Sequence, residues 1–441
     1  MIKENILKNR FAKVIQNSNP VQLIGKVTKV VGLVLESDGP SAPIGEICYL
    51  RDSKGRIFNQ AEIVGFKDGN KILSMVLGGL ENIAPGTEII STGKPFQVNL
   101  SNHLLGRVID GLGNPIDDLG NLSIQEKRSI YSKPPNPLKR KIISEPLYTG
   151  IRAIDGLLSL GRGQRAGIFA GSGVGKSTLL GMIAKNTSAD INVIALVGER
   201  GREVKEFIEN ELGKEGLMRS VVVVATSDQP ALVRVKAALL ATTISEYFRD
   251  QGLDVMLMMD SVTRLAMAQR EVGLAIGEPP TTRGYTPSVF SLMQQTMERA
   301  GTAENGSITG LYTVLVDGDD FNEPISDSAR GVLDGHIILS RKMASLGHYP
   351  AIDVLESVSR VMNKVIFEDH TVAARQIKQL MANYRRSEDL INIGAYQKGT
   401  NPLTDKAIEM HPLINEFLQQ NVSEATPWEQ TVENLVGLSS N

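Results

Sequence analysis

Residues 170–178 read Ala-Gly-Ser-Gly-Val-Gly-Lys-Ser-Thr and stand between a short apolar run, 166–170, and a helix-like stretch, 178–184. This order commits the chain to a strand, a tight loop and a helix. The small residues let the backbone curl so that successive N–H groups point at a triphosphate. Lys176 then reaches the β- and γ-phosphates, and the Ser177 hydroxyl can ligate Mg²⁺. The helix that follows aims its N-terminus at the same anion. Gly171, Ser172, Gly173, Val174, Gly175, Lys176, Ser177 and Thr178 are therefore candidate nucleotide contacts. The full pattern asks for glycine where this chain has Ala170, and alanine fits that turn if its backbone angles are ordinary. A chain built around this loop binds a nucleoside triphosphate.

At 441 residues the chain is too long for one core, and two or three domains are expected. Apolar residues make up 41% and charged residues 22%, which suits a globular protein rather than a disordered one. With 47 Lys and Arg against 49 Asp and Glu, no basic excess points to nucleic acid or an anionic membrane. Cys48 is the sole cysteine, so no internal disulfide can form and a reducing compartment fits. Runs such as 221–225 and 255–259 fall far short of the roughly 20 residues that span a bilayer. Lys3, Glu4, Lys8 and Arg10 break up the N-terminus, which is not a secretory signal. A cytoplasmic location follows.

Ile2, Ile6, Leu7, Val14 and Ile15 lie near helical spacing, which fits either a helix resting on its own domain or a docking segment. From 21 to about 98 the pattern changes to short β-like runs (21–34, 47–50, 57–64, 71–77 and 88–91) separated by turns such as Asp52-Ser53-Lys54-Gly55. That spacing suggests a small barrel. A Gly/Pro-rich stretch from 105 to 137 reads as an extended connection. Beyond 151, strand candidates 166–170, 192–197, 221–225, 255–259 and 311–316 alternate with helix-like stretches, predicting a mostly parallel sheet covered by helices. After about 363 only helix-like patterns continue.

Ligands of open α/β sheets gather at the carboxyl ends of the strands. The run 255–259 ends in Asp260, a position suited to holding Mg²⁺ through its water shell. Glu199 comes directly off the run 192–197 and could orient and polarise a water in line with the γ-phosphate. Arg200 and Arg202 beside it could contact phosphate or a neighbouring subunit, or simply form ion pairs at a helix start. An arginine finger would neutralise charge during transfer, but residue type alone cannot choose it among so many cations.

The P-loop, Gly198-Glu199-Arg200-Gly201-Arg202-Glu203-Val204, Asp260-Ser261-Val262-Thr263-Arg264 and the stretch from Tyr349-Pro350 through Ser359-Arg360 resemble the rotary ATPase superfamily, which includes the ATP-synthase α and β subunits. Within it, the chain is most similar to the flagellar and type III secretion export ATPases. Gly161-Arg162-Gly163-Gln164-Arg165, Gly277-Glu278-Pro279-Pro280, Asp334-Gly335-His336-Ile337 and Gly394-Ala395-Tyr396-Gln397 extend the match. The segment Asn392–Pro402 and the loop beginning Asp317-Gly318-Asp319-Asp320 are of the export type rather than that of a synthase β subunit. The resemblance implies an α/β RecA-like P-loop ATPase core (99–365), an N-terminal β-barrel (19–98), a C-terminal helical domain (366–441) and a docking helix (1–18). It implies ATP and Mg²⁺ as ligands, Glu199 as catalytic carboxylate, Asp260 as the Mg²⁺-associated aspartate, Arg360 as a finger entering the neighbouring subunit's site, and Tyr349 as the adenine platform. It further implies a homo-hexamer, a regulator on the N-terminal helix, a coiled-coil stalk in the pore, chaperone–substrate complexes and a membrane export gate, with the ring at the inner face of the membrane. Where export ATPases usually have Leu-Pro, this chain has Met293-Gln294, and a proline there would shape a helix start. A RecA-like nucleic-acid motor such as the Rho terminator is the alternative, but residues 1–95 hold only 12 Lys and Arg against 9 Asp and Glu, with few aromatics. That is a poor platform for RNA.

Overall fold

The computed structural model describes residues 22–67, 71–316, 320–321 and 323–440. The segment 1–18 and residues 317–319 lie outside the described residues. The chain divides into two compact units: residues 22–97 with 275–277, and 98–274 with 278–440.

In the first unit, strands β1 (Ile24–Val31), β2 (Val34–Asp38), β3 (Glu46–Arg51), β4 (Ile57–Lys67), β5 (Lys71–Val76) and β6 (Glu88–Pro95) form a closed barrel in the order β1-β2-β5-β4-β3-β6. Closure removes the free sheet edges that invite aggregation. Alternation along the strands turns Val27, Leu35, Leu50, Ile63 and Ile89 into a shared core. The apolar run 21–34 is not one strand. It reverses at Gly32, whose φ of 57° suits glycine, and composition hides the reversal because β-branched residues continue on both sides.

The second unit is built on a sheet whose strands lie in the order Ile352–Ser359, Gly335–Leu339, Arg165–Ala170, Ser307–Leu315, Asp254–Asp260, Ile191–Val197, Ser220–Ala225 and Val108–Asp110. All neighbours pair in parallel except Ile352–Ser359, which runs antiparallel at one edge. The central strands are buried on both faces, as in Ile191–Val197, which explains their continuous apolar runs. Val108–Asp110 lies within the stretch expected to be an extended connection. Three residues are too few to show a period, and pairing with Val222–Val224 makes them a strand. The Arg107 guanidinium holds Asp117 through two bonds of 2.7 and 2.8 Å, closing the loop beyond.

Met293 and Gln294 fall inside the helix Pro287–Glu298, which starts at Pro287 rather than near position 294. A prolyl residue at 294 would remove a hydrogen bond from the helix interior, and Met293 fills a buried position there. Helices Glu368–Asn392, Pro402–Leu418 and Trp428–Ser440 form the C-terminal helical domain. Trp428 opens the last helix, stacks on Tyr148 with ring centroids 4.5 Å apart and meets His370 edge-on at 5.4 Å. Residues beyond 425 thereby tie the chain's end to the α/β core. Among the described residues no helix is long and apolar enough to cross a membrane.

Candidate active site

The strand Arg165–Ala170 is buried from Ala166 onward and delivers the chain into the loop 171–175. Ala170 is not among the residues with positive φ, whereas Gly173 (φ 77°) and Gly175 (φ 88°) are. The loop's two left-handed positions therefore hold the residues that adopt them without strain, and its first position tolerates alanine. The helix Lys176–Asn186 begins with no side-chain cap, which leaves its first N–H groups free for an anion.

Two strands bring the carboxylates to this loop. Asp260 ends the strand Asp254–Asp260, and Glu199 lies just past the end of its neighbour, Ile191–Val197, in which Leu196 is level with Asp260. The strand Ser307–Leu315 separates both from the P-loop strand, and Lys176 reaches across it. Its Nζ lies 2.5 Å from Asp260 Oδ1 and 3.7 Å from Glu199 Oε1. The Arg264 guanidinium donates from Nε to the same Glu199 oxygen at 3.0 Å. Both carboxylates are buried.

Burial raises the Glu199 carboxyl to about 7; Lys176 and Arg264 oppose the rise, and the negative charge of Asp260 reinforces it. Glu203 moves the other way, because it shares a hydrogen bond with Glu199 and faces Arg200. A carboxyl poised near neutrality beside a phosphate cradle can take up or orient a proton at working pH.

Beside the loop, Val174, Gly175, Thr178, Leu179, Tyr349 and Val422 help to line a largely apolar cavity of about 220 Å³. The Tyr349 ring is half exposed and lies 3.6 Å from where a Cβ on Gly175 would be. Gln420 closes the cavity from the C-terminal domain. Its N–H donates to the Tyr349 carbonyl at 3.0 Å, its side-chain oxygen accepts from the Arg152 N–H at 3.0 Å, and its amide donates to the Gly150 carbonyl at 2.7 Å. An apolar slot with an aromatic wall suits a planar base.

Three family models match the chain: the ATP synthase alpha/beta family nucleotide-binding domain over 150–359, its beta-barrel domain over 27–93, and the T3SS EscN ATPase C-terminal domain over 366–437. The chain is 53% identical to the flagellum-specific ATP synthase of Bacillus subtilis over 97% of its own length and 98% of the relative's. It is 49% identical to the type 3 secretion system ATPase of Xanthomonas euvesicatoria, with 94% of each covered. The assembled ATPase EscN of enteropathogenic E. coli superposes with a TM-score of 0.89 at 47% identity, over 94% of this chain and all of that one. The chain belongs to the flagellar and type III secretion ATPase family. It is an ATP-hydrolysing enzyme linked to secretion.

In this export ATPase the structure gathers Lys176, Asp260 and Glu199 at one point, with the glycines of 171–175 around it and Tyr349 at the side cavity. Thr178 donates to Glu211 at 3.0 Å, while the Ser177 hydroxyl is exposed and has no partner among the described residues. Both bonds to Asp260 end on Oδ1, which leaves Oδ2 open. An exposed hydroxyl and an open carboxylate oxygen form the hard-oxygen donor pair that Mg²⁺ accepts alongside phosphate, so these residues fit the ion.

Arg200 and Arg360 lie elsewhere. The Arg200 side chain is exposed and pairs with Glu203 at 3.0 Å on its own helix. The Arg360 N–H donates to the Asp334 carbonyl, and the Asp334 N–H to that of Arg165. Arg360 is thus level with the start of the P-loop strand, roughly 16 Å along it from Ala170 at 3.3 Å per residue. It is exposed and pairs with no carboxylate among the described residues. Arg264, which the sequence offers only as the end of the motif 260–264, is paired with Glu199 in the structure. Sequence reasoning passed over Thr313 and Gln420, which carry no local signal: one is a threonine in an apolar strand, the other an amide in a polar tail.

Proposed function

We propose that this protein is a Mg²⁺-dependent ATPase that works as a homo-hexameric ring and energises protein export through a flagellar-type or type III secretion apparatus. The observation that carries this reading is Lys176 held between Asp260 and Glu199 at the mouth of a P-loop. ATP would draw Lys176 from the carboxylates onto its β- and γ-phosphates, with the helix N-terminus and the loop N–H groups cradling the same oxygens. Ser177 and Asp260 would hold Mg²⁺, which supplies charge neutralisation as the phosphoryl group is transferred. Freed of Lys176, Glu199 would orient the attacking water and accept its proton. Tyr349 would stack on the adenine.

Arg360 lies too far from its own chain's loop to serve it, so it would act as the finger in the site of the next subunit. Head-to-tail contacts of identical chains close into rings, and one chain carrying Lys176, Glu199 and Arg360 can be both site and finger. Arg200, exposed next to Glu199 in the chain, would contact that neighbour. An EscN structure contains its central stalk EscO, which supports a coiled-coil stalk in the pore here. Further partners would be a regulator on the N-terminal helix, chaperone–substrate complexes that the ring separates and unfolds, and a membrane export gate that keeps the cytoplasmic ring at the membrane's inner face.

The test is ATP hydrolysis by the full chain with and without Mg²⁺, with Lys176→Ala as control and RNA as an additive. Mg²⁺-dependent turnover lost in the variant and indifferent to RNA supports the reading. Turnover that requires RNA would favour a nucleic-acid motor.

A further inference from the structure

Asp260 Oδ1 accepts two hydrogen bonds, and only one of the donors can stay during turnover. Lys176 Nζ is 2.5 Å away, and the Thr313 hydroxyl is 2.7 Å away. On the reading above, Lys176 leaves for the phosphates when nucleotide binds. Thr313 has no such alternative. It is fully buried in the strand Ser307–Leu315, one step beyond the paired Met259 and Tyr312, so its Oγ1 faces Asp260 from the adjacent strand. Its other neighbour, the Met259 carbonyl, lies at 3.3 Å, so the single hydroxyl proton belongs to the shorter bond.

We propose that Thr313 is a positioning residue that fixes the Asp260 carboxylate for Mg²⁺ once Lys176 has been drawn onto the triphosphate. A carboxylate with one oxygen pinned from the adjacent strand presents the other in a fixed direction, and an unpinned one rotates about χ2. Groups that orient metal-holding carboxylates in this way change metal affinity by about 10–100-fold when removed. This inference rests on the nucleotide-site reading and adds to it the residue that sets the Mg²⁺ requirement.

The experiment uses the full chain and a fluorescent ribose-labelled ATP. Its binding is titrated first in EDTA and then against Mg²⁺, for wild type, Thr313→Val and Thr313→Ser. Valine keeps the branched shape that the strand favours and removes only the donor, while serine keeps the donor and removes a methyl group. Thr313→Val is expected to bind nucleotide in EDTA like wild type and to need about tenfold more Mg²⁺ for the Mg²⁺-dependent change, with Thr313→Ser remaining near wild type. Coincident Mg²⁺ curves for wild type and Thr313→Val would overturn the inference and leave the site intact. Equal shifts in both variants, or equal weakening with and without Mg²⁺, would overturn it in favour of a packing role. A wild-type chain that binds no nucleotide in either condition would overturn the site reading and the role of Thr313 with it.

Discussion

Glu199→Gln is expected to stop turnover and, at alkaline pH, to stabilise the fold. An ordinary glutamate titrates at 4.5, and burial raises Glu199 to about 7. As pH rises from 4.5 to 7 the unfolded chain gives up this proton while the folded chain keeps it, so every step upward favours unfolding. Below 4.5 both states are protonated and the penalty vanishes; above about 8 it is complete. At about 1.4 kcal/mol per pH unit it reaches at most ~3 kcal/mol. Glutamine has the same shape and no charge to desolvate. Lys176 retains Asp260 at 2.5 Å, and Arg264 is partly exposed, so neither cation is stranded. Scaling thermal shifts down from smaller domains gives about 1–2 °C per kcal/mol, hence roughly 3–6 °C. The assay is Tm against pH from 4.5 to 9 for both proteins, with the gap opening between pH 5 and 8. Hydrolysis by the variant should fall about 10²–10⁴-fold, and the wild-type kcat/KM should show an acid limb near pH 7. A gap that is constant with pH, or a variant less stable at pH 8, would mean that the pairing of Glu199 with Lys176 and Arg264 outweighs burial.

Tyr349→Ala should raise KM for ATP about tenfold or more with little change in kcat, since stacking on a base is worth about 1–3 kcal/mol; Tyr349→Phe should keep the wild-type value, and steady-state kinetics of both variants reads this directly. Trp428→Ala removes the contacts with Tyr148 and His370 and should lower stability by about 2–4 kcal/mol, measured by denaturant unfolding followed by far-UV circular dichroism.

The P-loop, the parallel strands and the two carboxylates were legible in the sequence because each depends on local chemistry. Glycines must stand where φ is positive, and strands buried on both faces must be apolar throughout. Asp260 and Glu199 could be placed because they follow such runs directly. What escaped depends on contacts distant in the chain. Val108–Asp110 is a strand only because Val222–Val224 lies beside it. The antiparallel edge strand Ile352–Ser359 was noticed for its motif residues and not for its conformation. Thr313 and Gln420 acquire meaning from partners 53 and 71 residues away, Asp260 and Tyr349. Arg360 was assigned by resemblance alone, and the structure holds it level with the start of the P-loop strand, away from its own chain's loop.

Sharing of each site between identical subunits is tested most directly by mixing Glu199→Gln and Arg360→Ala proteins. Specific ATPase activity is measured against protein concentration for each variant alone and for the equimolar mixture. Each variant should be nearly inactive alone. In a randomly mixed ring about a quarter of the interfaces join an intact Glu199 to an intact Arg360, so the mixture should regain up to about that share of wild-type activity and lose it on dilution. A mixture no more active than the sum of its parts, with Arg360→Ala alone turning over like wild type at every concentration, would contradict a shared site.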